Sequence, residues 1–171
     1  VARTFHPLRR DPATGAEVAS DVDDAFAFVA TLAGGALATF EVSRVAAPHL
    51  NANAIELDGD AGSLRFEFED MNVLRFHDAA DGPREGGWRR IVCTSAGNHP
   101  YAAHWWPDAH LLGYEHGFTN QLADVLAVLA GRDPELPLAD FADAYETQRV
   151  LEAALRSARE GHAVPLAGVH G

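Results

Sequence analysis

Lysine is absent from this sequence: all 13 of its basic residues are arginine. That excludes P-loop, Schiff-base and lysine acid–base chemistry from these residues. Cysteine occurs once, at Cys93, so no internal disulfide can form and a reducing compartment such as the cytoplasm is expected. Positive charge is scarce. The 13 arginines face 25 acidic residues, a formal net charge of −12, which excludes a broad footprint for phosphate backbones or anionic lipid. No apolar run approaches the roughly 18–20 residues of a membrane span. We therefore expect neither a nucleic-acid nor a membrane partner. The one methionine is Met71 and residue 1 is valine, so the chain is expected to be a processed product or a piece of a longer one.

What is present is an ordinary globular composition. With 171 residues, 47% of them hydrophobic and 22% charged, the chain can bury a core, and one domain over residues 1–171 is expected. The first half alternates. Phe26, Phe28, Ala30 and Leu32 share one strand face, and Ala38, Phe40 and Val42 follow Gly34-Gly35, which predicts a hairpin with a primed turn. Ile55 and Leu57, then Gly59-Asp60-Ala61-Gly62, then Leu64, Phe66 and Phe68, predict a second hairpin. Asn72–His77 and Trp88–Thr94 read as two more strands, and Val1–Phe5 as a candidate.

The second half changes period. Phe118, Leu122, Val125, Leu126 and Leu129 recur at helical spacing over residues 115–130. Phe141, Ala144, Leu151, Ala154, Leu155 and Ala158 define a second helix, with Asp140 as N-cap and Gly161 as its stop. Strands followed by helices predict an α+β fold: an open, mostly antiparallel sheet of about six strands with helices packed on one face. Two helices cannot cover both faces of such a sheet. The face bearing Ala25, Ala27, Val29, Thr31, Leu37, Thr39, Glu41 and Ser43 is then either an association surface or an ordinary solvated face.

Most catalytic signatures are missing: no G-x-G-x-x-G between strand and helix, no H-E-x-x-H, no C-x-x-C and no G-x-S-x-G. No catalytic residue is assigned. Asp23-Asp24 is expected at a solvated strand start with one polar contact, and Arg9-Arg10 in a solvated loop rather than an anion site. Cys93 reads as a small buried hydrophobe. The segment 98–116 stands out, being dense in aromatic and titratable residues. Trp105, Trp106, His110, Tyr114 and His116 are the candidate substrate-binding residues, since aromatic faces stack on sugar-like rings and histidine hydrogen-bonds hydroxyls. The bland alternative is that the tryptophans cover a sheet edge and the histidines are solvated. The histidines recur every five or six residues, not at the i, i+4 spacing of a helical metal site, so no metal is expected.

Four ordered stretches resemble the C-terminal domain of the Gfo/Idh/MocA family of NAD(P)-dependent oxidoreductases. They are Val22-Asp23-Asp24 with Phe26 to Phe40; Ile55-Glu56-Leu57-Asp58-Gly59 through Gly62-Ser63-Leu64; Gly113-Tyr114-Glu115-His116-Gly117-Phe118; and Phe141-Ala142-Asp143-Ala144 with Gln148, Val150, Leu151, Glu152, Ala153, Ser157 and Gly161. The resemblance implies a two-domain parent. Its N-terminal Rossmann domain, absent from this chain, would hold NAD or NADP and the family's catalytic lysine. Its C-terminal domain would close over a sugar, cyclitol or other polyol and form a homodimer or tetramer through the open sheet. The family's Asp-x-x-x-His motif is missing from the matching region, and His6 lies outside such a motif. The chain alone is then expected to be inactive. The alternative reading is a stand-alone α+β ligand-binding or dimerising module; a small cofactor-free enzyme using the histidine-rich loop is weaker still.

Overall fold

The computed structural model describes residues 1–169. It divides into two compact units, one formed by residues 1–48 and 139–169 and the other by residues 49–138.

The first unit carries five strands: β1 (Ala2–Arg3), β2 (Leu8–Arg10), β3 (Glu17–Ala19), β4 (Ala25–Thr31) and β5 (Leu37–Ser43). β4 and β5 pair antiparallel, with Phe26 opposite Val42, Phe28 opposite Phe40 and Ala30 opposite Ala38. This is the register that the alternation demands, since a one-residue slip would move every aromatic ring to the other face. The rings of Phe28 and Phe40 stack with centroids 4.4 Å apart. β1 extends this sheet along β4. The turn differs from expectation. Only Gly35 takes a positive φ, of 86°, and Leu32 donates its N–H to Ala36 O while Gly35 donates to Leu32 O. A three-residue loop ending in a left-handed glycine turns the chain instead of a primed two-residue turn.

Helix α2 (Phe141–Glu160) belongs to this unit and starts where expected. The Asp140 carboxylate accepts the Asp143 N–H at 2.9 Å, and Gly161 ends the helix. From α2, Arg149 donates to the carbonyls of Val169 and Leu166, at 2.9 and 2.6 Å, and so ties down the segment that follows the helix.

The second unit is a four-stranded antiparallel meander: β6 (Ala54–Gly59), β7 (Gly62–Glu67), β8 (Val73–Asp78) and β9 (Arg89–Val92). One face carries Ile55, Phe66, Leu74 and Ile91 in a cross-strand row, and the other carries Glu56, Arg65, Arg75 and Arg90. On that charged face Arg65 reaches both Glu56 (2.8 Å) and Glu67 (2.7 Å), and the guanidinium holds the Glu67 carboxyl below its ordinary range. These pairs are about 40% exposed, so solvent screens them and each adds little to stability. Helix α1 (Tyr114–Leu129) completes the unit.

Antiparallel pairing throughout and two long helices bear out the expected fold class. The strand inventory differs. Among the described residues, nine strands form three sheets, of orders β1-β4-β5, β2-β3 and β6-β7-β8-β9, rather than one sheet of about six. Between β5 and β6 the segment Arg44–Asn53 lacks alternation and holds Pro48, which has no N–H to donate, so no ladder passes through it. The β2–β3 hairpin was not expected. It puts Arg9 and Arg10 in a strand, not a solvated loop. Cys93 is half-buried just beyond β9, with its thiol 3.6 Å from Ile91 O.

Candidate functional site

The second unit turns the aromatic segment into a held structure. After β9 the chain runs through a short 3-10 helix, Pro100–His104, which places Trp105 and Trp106 directly before the approach to α1. Two buckles fix this path. At its near end the Tyr101 hydroxyl donates to the Asp124 carboxylate of α1. Asp124 is 5% exposed and also accepts the Glu135 N–H at 2.8 Å. The Tyr101 hydrogen bond, and then the backbone donor, hold the Asp124 carboxyl below its usual range. Burial, reinforced by that carboxylate, pushes the Tyr101 phenol up to about 12. At the far end the Asn72 amide brackets Leu112. Its oxygen accepts the Leu112 N–H at 2.8 Å and its nitrogen donates to the Leu112 carbonyl at 2.9 Å.

Between the buckles, three of the five expected residues come together. Trp105 meets His116 edge-to-face with centroids 4.4 Å apart, and Trp106 lies 6.2 Å from Trp105 and 6.3 Å from His116. The Trp105 indole N–H donates to Asn120 Oδ1 at 2.8 Å. His116 Nδ1 accepts the Gly113 N–H at 3.0 Å. The Glu115 carboxylate is 3.6 Å from that nitrogen, too long for a hydrogen bond. This assignment makes Nε2–H the ring's donor. Asn120 Nδ2 has no hydrogen-bond partner among the described residues. The cluster thus combines aromatic surface with an imidazole N–H and an amide NH₂, a donor set suited to hydroxyl oxygens.

The other two residues are placed apart from these rings. Tyr114 packs edge-on against Phe68 at 5.5 Å and Phe118 at 4.9 Å, and is 60% exposed. His110 is exposed, with Nδ1 3.0 Å from Pro107 O and 3.3 Å from Asp108 O in its own turn. Sequence reasoning missed Asn120, although its place four residues after His116 puts both on one face of α1. No group of three or more potential metal ligands gathers among the described residues.

A second polar centre lies in the first unit, where the expected solvated acid pair is not found. Asp24 is 3% exposed. Its carboxylate accepts the N–H groups of Phe5 and His6, both at 2.7 Å, and pairs with Arg9 at 2.6 Å. These donors, the His6 N–H foremost, hold its carboxyl below the usual range. One polar contact was expected and three are made, because β1, β2 and the start of β4 converge on this side chain.

Comparison with known proteins concerns the chain as a whole. Residues 3–166 match the oxidoreductase family, C-terminal alpha/beta domain. The chain is 30% identical over 139 residues to a levoglucosan dehydrogenase of Pseudarthrobacter phenanthrenivorans, covering 81% of this chain and 35% of that protein. Among solved structures it is similar to an oxidoreductase domain protein from Kribbella flavida, at 47% identity with a TM-score of 0.83 over 94% of this chain and 41% of that one. It is also similar to a levoglucosan dehydrogenase in complex with NADH and L-sorbose, at 28% identity with a TM-score of 0.83 and the same coverages. The chain therefore spans well under half the length of these relatives.

Proposed function

Because the chain belongs to the oxidoreductase family's C-terminal alpha/beta domain, we propose that it is the substrate-facing and association part of an NAD(P)-dependent dehydrogenase. The substrate would be a sugar, cyclitol or related polyol. The observation that carries this reading is the cluster of Trp105, Trp106 and His116, with Asn120 beside it, in a chain similar to proteins described as levoglucosan dehydrogenases.

In this reading the nicotinamide cofactor is held by the rest of the parent protein. Where a dinucleotide fold opens a helix with free N–H groups beside a glycine-rich turn, α1 opens with the Gly113 N–H taken by His116 and the Glu115 carboxylate crowding Gly113. On the same reading, hydride transfer and its proton fall to that part of the protein. The part played here is binding. The indole faces exclude water from one side of the sugar ring, and His116 and Asn120 donate to its hydroxyls, orienting the carbinol carbon. The β4–β5 face bearing Ala27, Val29, Thr31 and Leu37 is the proposed association surface. Val29 and Leu37 are 64% and 74% exposed on it, apolar area that a second copy would bury.

The test uses the full-length protein. His116→Gln and Trp105→Ala should each raise KM for the sugar substrate several-fold and leave KM for NAD(P) unchanged. Sugar KM values equal to wild type in both variants would remove the cluster from the substrate site.

A further inference from the structure

The cleft beside Asp24 has a composition that the proposed polyol reading does not use. We propose that it is an oxyanion site, taking the phosphate group of inorganic phosphate or of a small phosphomonoester. It is an open cleft of about 490 Å³ within the first unit, lined by His6, Arg9, Arg10, Asp24 and Arg44 among others. That volume lies in the range of small-molecule sites.

Charge makes the case. The chain carries a formal −12, yet three of its 13 arginines line this one cleft. The single carboxylate there is already spent. Asp24 is saturated by the Phe5 and His6 N–H groups and by Arg9, so it neutralises Arg9 alone. Arg10 and Arg44 make no side-chain hydrogen bond or ion pair among the described residues. Glu17 faces Arg10 across the β2–β3 ladder but forms no ion pair with it. The lining therefore holds two arginines beyond the one that Asp24 neutralises. A guanidinium carries the planar fork that pairs bidentately with an oxyanion.

Placement is also specific. β2 supplies Arg9 and Arg10, and Arg44 stands directly after β5, its backbone N–H donating to the Asp24 carbonyl at 2.9 Å. The buried Asp24 thus anchors both sources of arginine, through its side chain on one and its main chain on the other. One buried carboxylate residue therefore ties down both segments that bring arginine to the cleft.

This site lies in the unit that lacks Trp105 and His116, so it stands or falls independently of the polyol site. The experiment titrates the 171-residue chain with inorganic phosphate, against chloride at matched ionic strength, and follows the phosphorus NMR linewidth. Saturable broadening beyond the chloride control is expected. The double variant Arg10→Gln, Arg44→Gln leaves the Asp24 anchors intact and should weaken it by about tenfold or more. Far-UV circular dichroism checks that this variant is folded. Displacement of phosphate by a sugar monophosphate at lower concentration identifies a phosphomonoester site; failure to displace identifies a site for free phosphate. Phosphate behaving as chloride does, or a folded double variant binding as tightly as wild type, would overturn the proposal.

Discussion

Replacing Asn72 with alanine removes the buckle that brings the aromatic segment to the start of α1. Two hydrogen bonds are lost, from the Leu112 N–H at 2.8 Å and to the Leu112 carbonyl at 2.9 Å. A neutral hydrogen bond contributes about 0.5–1.5 kcal/mol net, so Asn72→Ala should destabilise the second unit by about 1–3 kcal/mol. The upper end applies if both Leu112 groups stay half-buried and dry, the lower if water reaches them. Asn72→Asp keeps the acceptor but sets a second oxygen against the Leu112 carbonyl, so it should recover less than half the loss. Urea unfolding followed by tryptophan fluorescence reads the effect directly, because Trp88, Trp105 and Trp106 all lie within residues 49–138. The midpoint should fall at an unchanged slope. A loss below about 0.3 kcal/mol for the alanine variant would refute the bracket as a structural tie.

Three further outcomes follow from the same geometry. The Tyr101 phenol is raised to about 12, against an unfolded value near 10, so its contribution is complete below pH ~10 and is lost as pH climbs towards 12. Asp124 is depressed, so its contribution is complete above the ordinary carboxylate range and is lost on acidification. Urea midpoints across pH should show both flanks, and Tyr101→Phe should flatten the alkaline one. Gly62 has φ of 151°, and a Cβ there would sit 2.2 Å from the His77 carbonyl oxygen. Gly62→Ala should cost at least about 2 kcal/mol, whereas Gly59→Ala, with its nearest neighbour at 3.6 Å, should cost far less, both read by the same unfolding assay. Sedimentation tests the association surface: Val29→Glu with Leu37→Glu should convert an oligomer of the full-length protein to monomer, and an unchanged sedimentation coefficient would exclude that face.

Local periodicity made much of the architecture legible. Strict alternation in residues 25–31 and 37–43 set both the strands and their register, and Asp140 and Gly161 bracketed α2 as capping chemistry requires. The family resemblance read from four ordered stretches agrees with the family match over residues 3–166. What escaped depended on partners distant in sequence. β2 and β3 are three residues each, too short to show a period, so Arg9 and Arg10 looked like loop residues. Asp24 looked solvated because its donors, at positions 5, 6 and 9, lie 15 to 19 residues away and two of them are backbone groups. The division of the described strands into three sheets was equally hidden, since alternation identifies a strand but not the edge at which pairing stops.

The candidate site divides in the same way. The density of tryptophan and histidine in residues 98–116 marked the segment, and chain proximity brought Trp105 and Trp106 together. Meeting His116 required the turn at Gly113, and the role of Asn72 required a contact 40 residues distant. Helical spacing from His116 to Asn120 was visible, but the indole donor that engages Asn120 comes from outside the helix.

The most direct test of the account expresses the complete coding sequence and the 171-residue chain side by side. Each is assayed for sugar- or cyclitol-dependent formation of NADH or NADPH. The account predicts turnover by the complete protein with at least one such substrate, and none by the chain alone. Turnover by the isolated chain, or an upstream coding region without a strand–GxGxxG–helix pattern, would contradict it.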